Sequence, residues 1–190
     1  MAKVYVFLAD GFEDIEALIP VDVLRRGGVD VVTVSVMEDS QVVESAHRVQ
    51  IVADALFDDC DFSDADVLFL PGGMPGATNL NAHEGLRKAL LAQNAAGRRI
   101  AAICAAPLVL GGLGLLRGKR ATCYPGFEQT LEGATYTADL FTVDGNITTG
   151  EGPAAALPFA YSLLAQLTNE ETSQQIATGM RFVHLMQSKK

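Results

Sequence analysis

The chain has 190 residues, 49% hydrophobic and 19% charged, with 18 glycines and no biased tract. That suits one domain able to bury roughly 70% of its unfolded surface without a disulfide or metal staple. Its net charge of −9 disfavours nucleic acid or an anionic membrane as the main partner.

Apolar runs of strand length alternate with segments of helical period, which predicts an α/β fold with a mostly parallel sheet covered on both faces. The first strand is expected over Lys3–Ala9. Its apolar run is too short for a signal-peptide core, and no later stretch reaches the ~20 apolar residues of a membrane helix. A helix over Glu13–Arg26 follows and stops at Gly27-Gly28, as helices commonly do at glycine. Pro20 falls inside it, should kink it, and leaves the carbonyl of Glu16 without its usual donor.

Strands are then expected at Asp30–Val36, more weakly at Val49–Val52, and at Val67–Leu70. A helix over Glu84–Ala95 stops at Gly97, a strand runs through Ile100–Ile103, and a helix spans Ala106–Leu115. Weaker strands lie at Arg120–Cys123, Phe141–Val143 and Asn146–Thr148, with Asp144-Gly145 signalling a small antiparallel hairpin. Helices over Pro153–Leu167 and Asn169–Met180 close the series. With no internal repeat or linker, residues 1–190 read as one three-layer domain.

Three segments at the C-terminal ends of strands carry the chemistry, and ligands of open α/β sheets bind at that edge. In Ile100-Ala101-Ala102-Ile103-Cys104-Ala105-Ala106-Pro107 a strand runs into a cysteine, small residues follow, and a helix opens at the proline. This is the logic of a nucleophile elbow. The helix N-terminus is expected to stabilise a thiolate and lower its pKa. A free cysteine is more often a small buried hydrophobe, but its position at an elbow reverses that balance. In Leu70-Pro71-Gly72-Gly73 the paired glycines let backbone N–H groups turn toward a bound oxygen, although taken alone they read more readily as only a tight loop. The spacing matches neither a dinucleotide nor a Walker loop. In Asp10-Gly11-Phe12-Glu13-Asp14-Ile15-Glu16, Glu13 and Asp14 read as helix-capping acids. Glu16, flanked by Ile15 and Ala17, is expected to face inward, where burial raises its pKa and lets it exchange a proton with a thiol.

Cys60, Cys104 and Cys123 show no CxxC spacing, so neither a disulfide framework nor a zinc site is expected, and free thiols fit the cytoplasm. Among the histidines only His47 is assigned a possible place in the site or against a partner subunit; His83 and His184 are assigned none. No pair has metal-ligand spacing.

Taken in register, these segments, with Ile19-Pro20-Val21-Asp22-Val23-Leu24-Arg25-Arg26-Gly27-Gly28 and Thr149-Gly150-Glu151-Gly152-Pro153, resemble the ThiJ/PfpI family in its Parkinsonism-associated deglycase branch. The resemblance covers nearly the whole chain. It implies a flavodoxin-like sandwich that forms homodimers and needs no cofactor. It also implies a reactive Cys104, a carboxyl partner at Glu16, and oxyanion donors at the backbone N–H groups of Gly73 and Ala105. Gly72, Tyr124 and His47 complete the expected substrate pocket.

Two positions depart from relatives. Tyr124 stands where many have a histidine, and Ala105 stands where peptidase-type members have another. A Cys-His peptidase is therefore disfavoured. The expected function is glyoxalase III or deglycase chemistry on small reactive carbonyls. An oxidation-sensing stress protein or chaperone switched at Cys104 is the alternative, and amide or isocyanide hydrolysis comes behind both. The dimer expectation is supported by the apolar face of Ile15, Leu18, Ile19 and Val23 on the first helix.

Overall fold

A computed structural model describes residues 1–188. Its central sheet contains β1 (Lys3–Leu8), β2 (Asp30–Ser35), β3 (Ala55–Leu56), β4 (Val67–Leu70), β5 (Arg99–Ile103), β6 (Phe141–Asp144) and β7 (Ile147–Gly150). They lie in the order β6-β7-β5-β4-β1-β2-β3. Every neighbouring pair is parallel except β6 with β7. The helices are α1 (Asp14–Arg26), α2 (Gly76–Ala82), α3 (Glu84–Ala95), α4 (Pro107–Gly112), α5 (Ala156–Leu167), α6 (Glu170–Gly179) and α7 (Phe182–Gln187). The architecture is the expected flavodoxin-like α/β sandwich.

Strand order explains where a site can form. From β1 the chain crosses outward to β2, whereas from β4 it crosses the opposite way to β5. Right-handed crossovers running in opposite directions put their helices on opposite faces. Accordingly α1 packs with α5, while α2 packs with α3 and α4. Val4–Leu8, Val67–Leu70 and Ile100–Ile103 are almost entirely buried, because central strands covered on both sides need continuous apolar sequence. Between β1 and β4 the crossovers diverge, and the loops leaving β1, β4 and β5 meet at that switch point.

Several peripheral elements differ from the sequence expectation. The strand expected at Val49–Val52 is Gln50–Val52, and it pairs antiparallel with Val42–Glu44 outside the main sheet. Its β-branched residues favour extended backbone, but Val52 is 70% exposed, so the run marks a protruding ribbon rather than core. The strand expected at Arg120–Cys123 is only Arg120–Ala121 and pairs with Thr135–Tyr136 in a separate two-stranded sheet. The helix expected over Ala106–Leu115 is shortened to Pro107–Gly112. Glycines at 111, 112 and 114 remove helix propensity there. At the hairpin, Asp144 belongs to β6 and Gly145 turns at φ +61. Pro20 is accommodated within a continuous α1.

Candidate active site

Ile103 is the last residue of β5 and pairs with Gly150 of β7. Cys104 follows in the left-handed region at φ +63, a conformation that costs a non-glycine residue about 1–2 kcal/mol. Two loops clamp the turn: the Cys104 N–H donates to the Gly150 carbonyl at 2.9 Å, and the Tyr124 N–H donates to the Cys104 carbonyl at 3.0 Å. Alanine at 105 and 106 leaves the elbow uncrowded before Pro107 opens α4. Cys104 as a residue retains 9% exposure.

Glu16 reaches this elbow from the first turn of α1, and its side chain is fully buried. Glu13, not Glu16, caps the helix, accepting the Glu16 N–H at 2.8 Å. The Glu16 carboxyl is thereby left free for the site. Its Oε2 accepts the Gly72 N–H at 3.0 Å, and the carboxyl lies beside the Cys104 thiol, each shifting the other's pKa. Oε1 has no partner. Gly72 is a steric requirement of this pair. A Cβ there would lie 2.5 Å from Glu16 Oε2 and 2.7 Å from Cys104 Cβ. The backbone N–H groups of Gly73, at φ +91, and of Ala105 act to lower the thiol's pKa.

The electrostatics differ from a simple pre-ionised thiolate. Burial pushes the Glu16 carboxyl up to about 7, and the negative Glu13 adds to the rise, while the bonds from the thiol and the Gly72 N–H oppose it. Burial also pushes the Cys104 thiol up, and the neighbouring Glu16 charge and hydrogen bond push it further. The Gly73 and Ala105 N–H groups pull the other way without prevailing. The helix dipole expected to ionise the sulfur is small because α4 has only six residues. The result is one coupled acid pair in which the Glu16 carboxyl is raised to about 7 while the Cys104 thiol is held protonated beside it.

Tyr124 borders the same site. Its ring edge lies 3.0 Å from where a Cβ would project at Gly152, and that point is 4.0 Å from Glu16 Oε1. His47 does not join the thiol. Its Nδ1 pairs with Asp14 Oδ2 at 2.6 Å and its side chain is 66% exposed, correcting its expected place in the pocket. Glu13, Asp14 and His47 bring three ligand-type atoms within 4.8 Å, but Glu13 is engaged as the helix cap and Asp14 with His47. Cys123 is fully buried, which raises its thiol to about 11. Cys60 is half-buried and remote in sequence from the elbow. A cavity of about 730 Å³ beside α5, α6 and α7 contains none of the thiol-site residues. Gly152 belongs to the Thr149-Gly150-Glu151-Gly152-Pro153 segment, but its place against Tyr124 could not be read from that run.

A flavodoxin-like sheet with a cysteine elbow at its switch point and a buried glutamate beside the sulfur defines a class of cysteine-centred α/β proteins. Residues 2–166 match the DJ-1/PfpI family, and the chain belongs to that family. It is 41% identical over 177 residues to Protein DJ-1 homolog B of Arabidopsis thaliana, covering 92% of this chain and 40% of that protein. The chain thus spans about two fifths of that relative's length. It is 37% identical to Protein dj-1beta of Drosophila melanogaster, covering 92% and 94% of the respective chains. The solved structure of oxidized Toxoplasma gondii DJ-1 superposes with a TM-score of 0.90 at 37% identity, covering 95% of this chain and 98% of that one.

Proposed function

We propose that this protein is a cofactor-independent, cysteine-dependent enzyme acting on small reactive carbonyls, of glyoxalase III or deglycase type. The observation carrying this reading is the fully buried Glu16 carboxyl, packed with Cys104 against Gly72, where burial raises it to about 7. A general acid–base works best when its pKa lies near the working pH. As Sγ bonds to the aldehyde carbon, the Glu16 carboxylate takes the thiol proton. The carbonyl electron pair moves onto oxygen, where the Gly73 and Ala105 N–H groups hold it. Reprotonation of that oxygen by Glu16 completes a hemithioacetal. With methylglyoxal, Glu16 then carries a proton from C1 to C2 through an enediol. Water hydrolyses the resulting lactoyl thioester, so methylglyoxal and water leave as lactate. Cys104→Ala should abolish glutathione-independent methylglyoxal loss, and unchanged turnover in that variant would refute the reading.

A redox-sensing role uses the same sulfur and is favoured by the likeness to a neighbour solved in its oxidized state. Cys104 keeps an accessible edge whereas Cys123 has none, so mild peroxide should add oxygen to Cys104 before Cys123. Indiscriminate oxidation of all three in a peptide map would contradict it. Homodimerisation also belongs to this proposal. Val23 is wholly buried, but Ile15 and Leu18 of α1 remain exposed, as do Val42, Val49 and Val52 of the ribbon. Three free thiols fit a reducing compartment such as the cytoplasm.

A further inference from the structure

We infer that Tyr124 sets the substrate preference of the thiol site, favouring α-oxoaldehydes whose second substituent is a flat apolar ring over methylglyoxal. This rests on the carbonyl chemistry proposed above and names its substrate class. Two independent features of the site meet here. The first is Glu16 Oε1, a buried carboxyl oxygen with no partner, which marks where a hydroxyl or carbonyl of the bound molecule belongs.

The second is the way Tyr124 is held. Its N–H is spent on the Cys104 carbonyl at 3.0 Å, and its own carbonyl accepts the Phe127 N–H at 3.0 Å across a turn through Pro125 and Gly126. Gly126 supplies the positive φ, +99, that such a turn requires at its third position. The backbone is therefore fixed directly to the nucleophile. The ring nevertheless stands 47% exposed and stacks on no other aromatic ring among the described residues. A solvent-facing aromatic whose backbone is anchored beside a reactive group is a ready contact for a planar apolar partner.

Gly152 joins the two features. The point where its Cβ would stand is 3.0 and 3.5 Å from Tyr124 Cδ2 and Cε2, and 4.0 Å from Glu16 Oε1. Because 152 has no side chain, the Tyr124 ring edge packs onto the backbone beside that buried carboxyl oxygen. A hemithioacetal on Cys104 that pairs its polar end with Glu16 Oε1 directs its substituent along Gly152 onto Tyr124. A methyl group is too small to use that surface, whereas an aryl group covers it.

The test compares wild type, Tyr124→Phe and Tyr124→Ala, with Cys104→Ala as the site control. Two ratios are measured: kcat/KM for phenylglyoxal against methylglyoxal, and the rate of Cys104 alkylation by phenacyl bromide against iodoacetamide, read by mass spectrometry. Both ratios should fall about fivefold in Tyr124→Ala and stay within twofold of wild type in Tyr124→Phe. Ratios unchanged in Tyr124→Ala overturn the inference. If wild type consumes neither aldehyde, the carbonyl-enzyme reading fails, and the alkylation ratio alone decides the part played by Tyr124.

Discussion

Replacing Glu16 by Gln separates the energetic cost of the buried carboxyl from its chemistry. In the folded protein this carboxyl is raised from 4.5 to about 7, chiefly by burial. A carboxyl raised by folding contributes its full stability below about pH 4.5, where both states hold the proton. The contribution is lost as pH rises toward 7, because the unfolded chain ionises first. That shift corresponds to about 3 kcal/mol. Glutamine keeps the shape, can present its oxygen to the Gly72 N–H, and never ionises. Thermal melts followed by circular dichroism from pH 4 to 8 should show the two proteins alike near pH 4. The variant should then gain a growing advantage that levels off above pH 7 at roughly 6–12 °C. Carbonyl turnover in the same variant should fall about 10²- to 10⁴-fold, the usual weight of a general acid–base. Parallel stability profiles across that pH range would refute the assignment of a buried, proton-holding Glu16.

Other variants test the geometry around the pair. Gly72→Ala drives a Cβ to within 2.5 Å of Glu16 Oε2, so it should lower stability by about 1–3 kcal/mol in denaturant titration and cut kcat about 10²-fold by displacing the pair. His47→Ala should leave carbonyl turnover within about twofold, because an exposed pair such as His47–Asp14 is worth little; a large loss in steady-state kinetics would return His47 to the site. Gly152→Ala places a methyl against the Tyr124 ring and should slow modification of Cys104 by phenacyl bromide more than by iodoacetamide.

The central strands were legible because burial on both faces forces continuous apolar runs, as in Val4–Leu8 and Val67–Leu70. The elbow at Cys104 was legible for a related reason: small residues between a strand and a proline-led helix fit a sharp turn. Less legible were elements whose existence depends on tertiary pairing. Ala55–Leu56 is only two residues long and is a strand only because β2 lies beside it. Helix α2 begins at Gly76 behind Pro75 and carries no side-chain cap, so its start looks like loop. His47 carries the right chemistry for a site, and only the fold reveals that Asp14 engages it. The thiol's electrostatics were misjudged for a similar reason. The helix dipole could be read from the sequence, whereas the burial and the Glu16 charge that outweigh it depend on packing.

The most direct test of the shared proton is the pH profile of Cys104 alkylation by iodoacetamide, resolved by peptide mass, in wild type and Glu16→Gln. Wild type should show an inflection near pH 7, where Glu16 becomes a base, and that inflection should vanish in the variant. Superimposable profiles would mean that the carboxyl does not govern the sulfur.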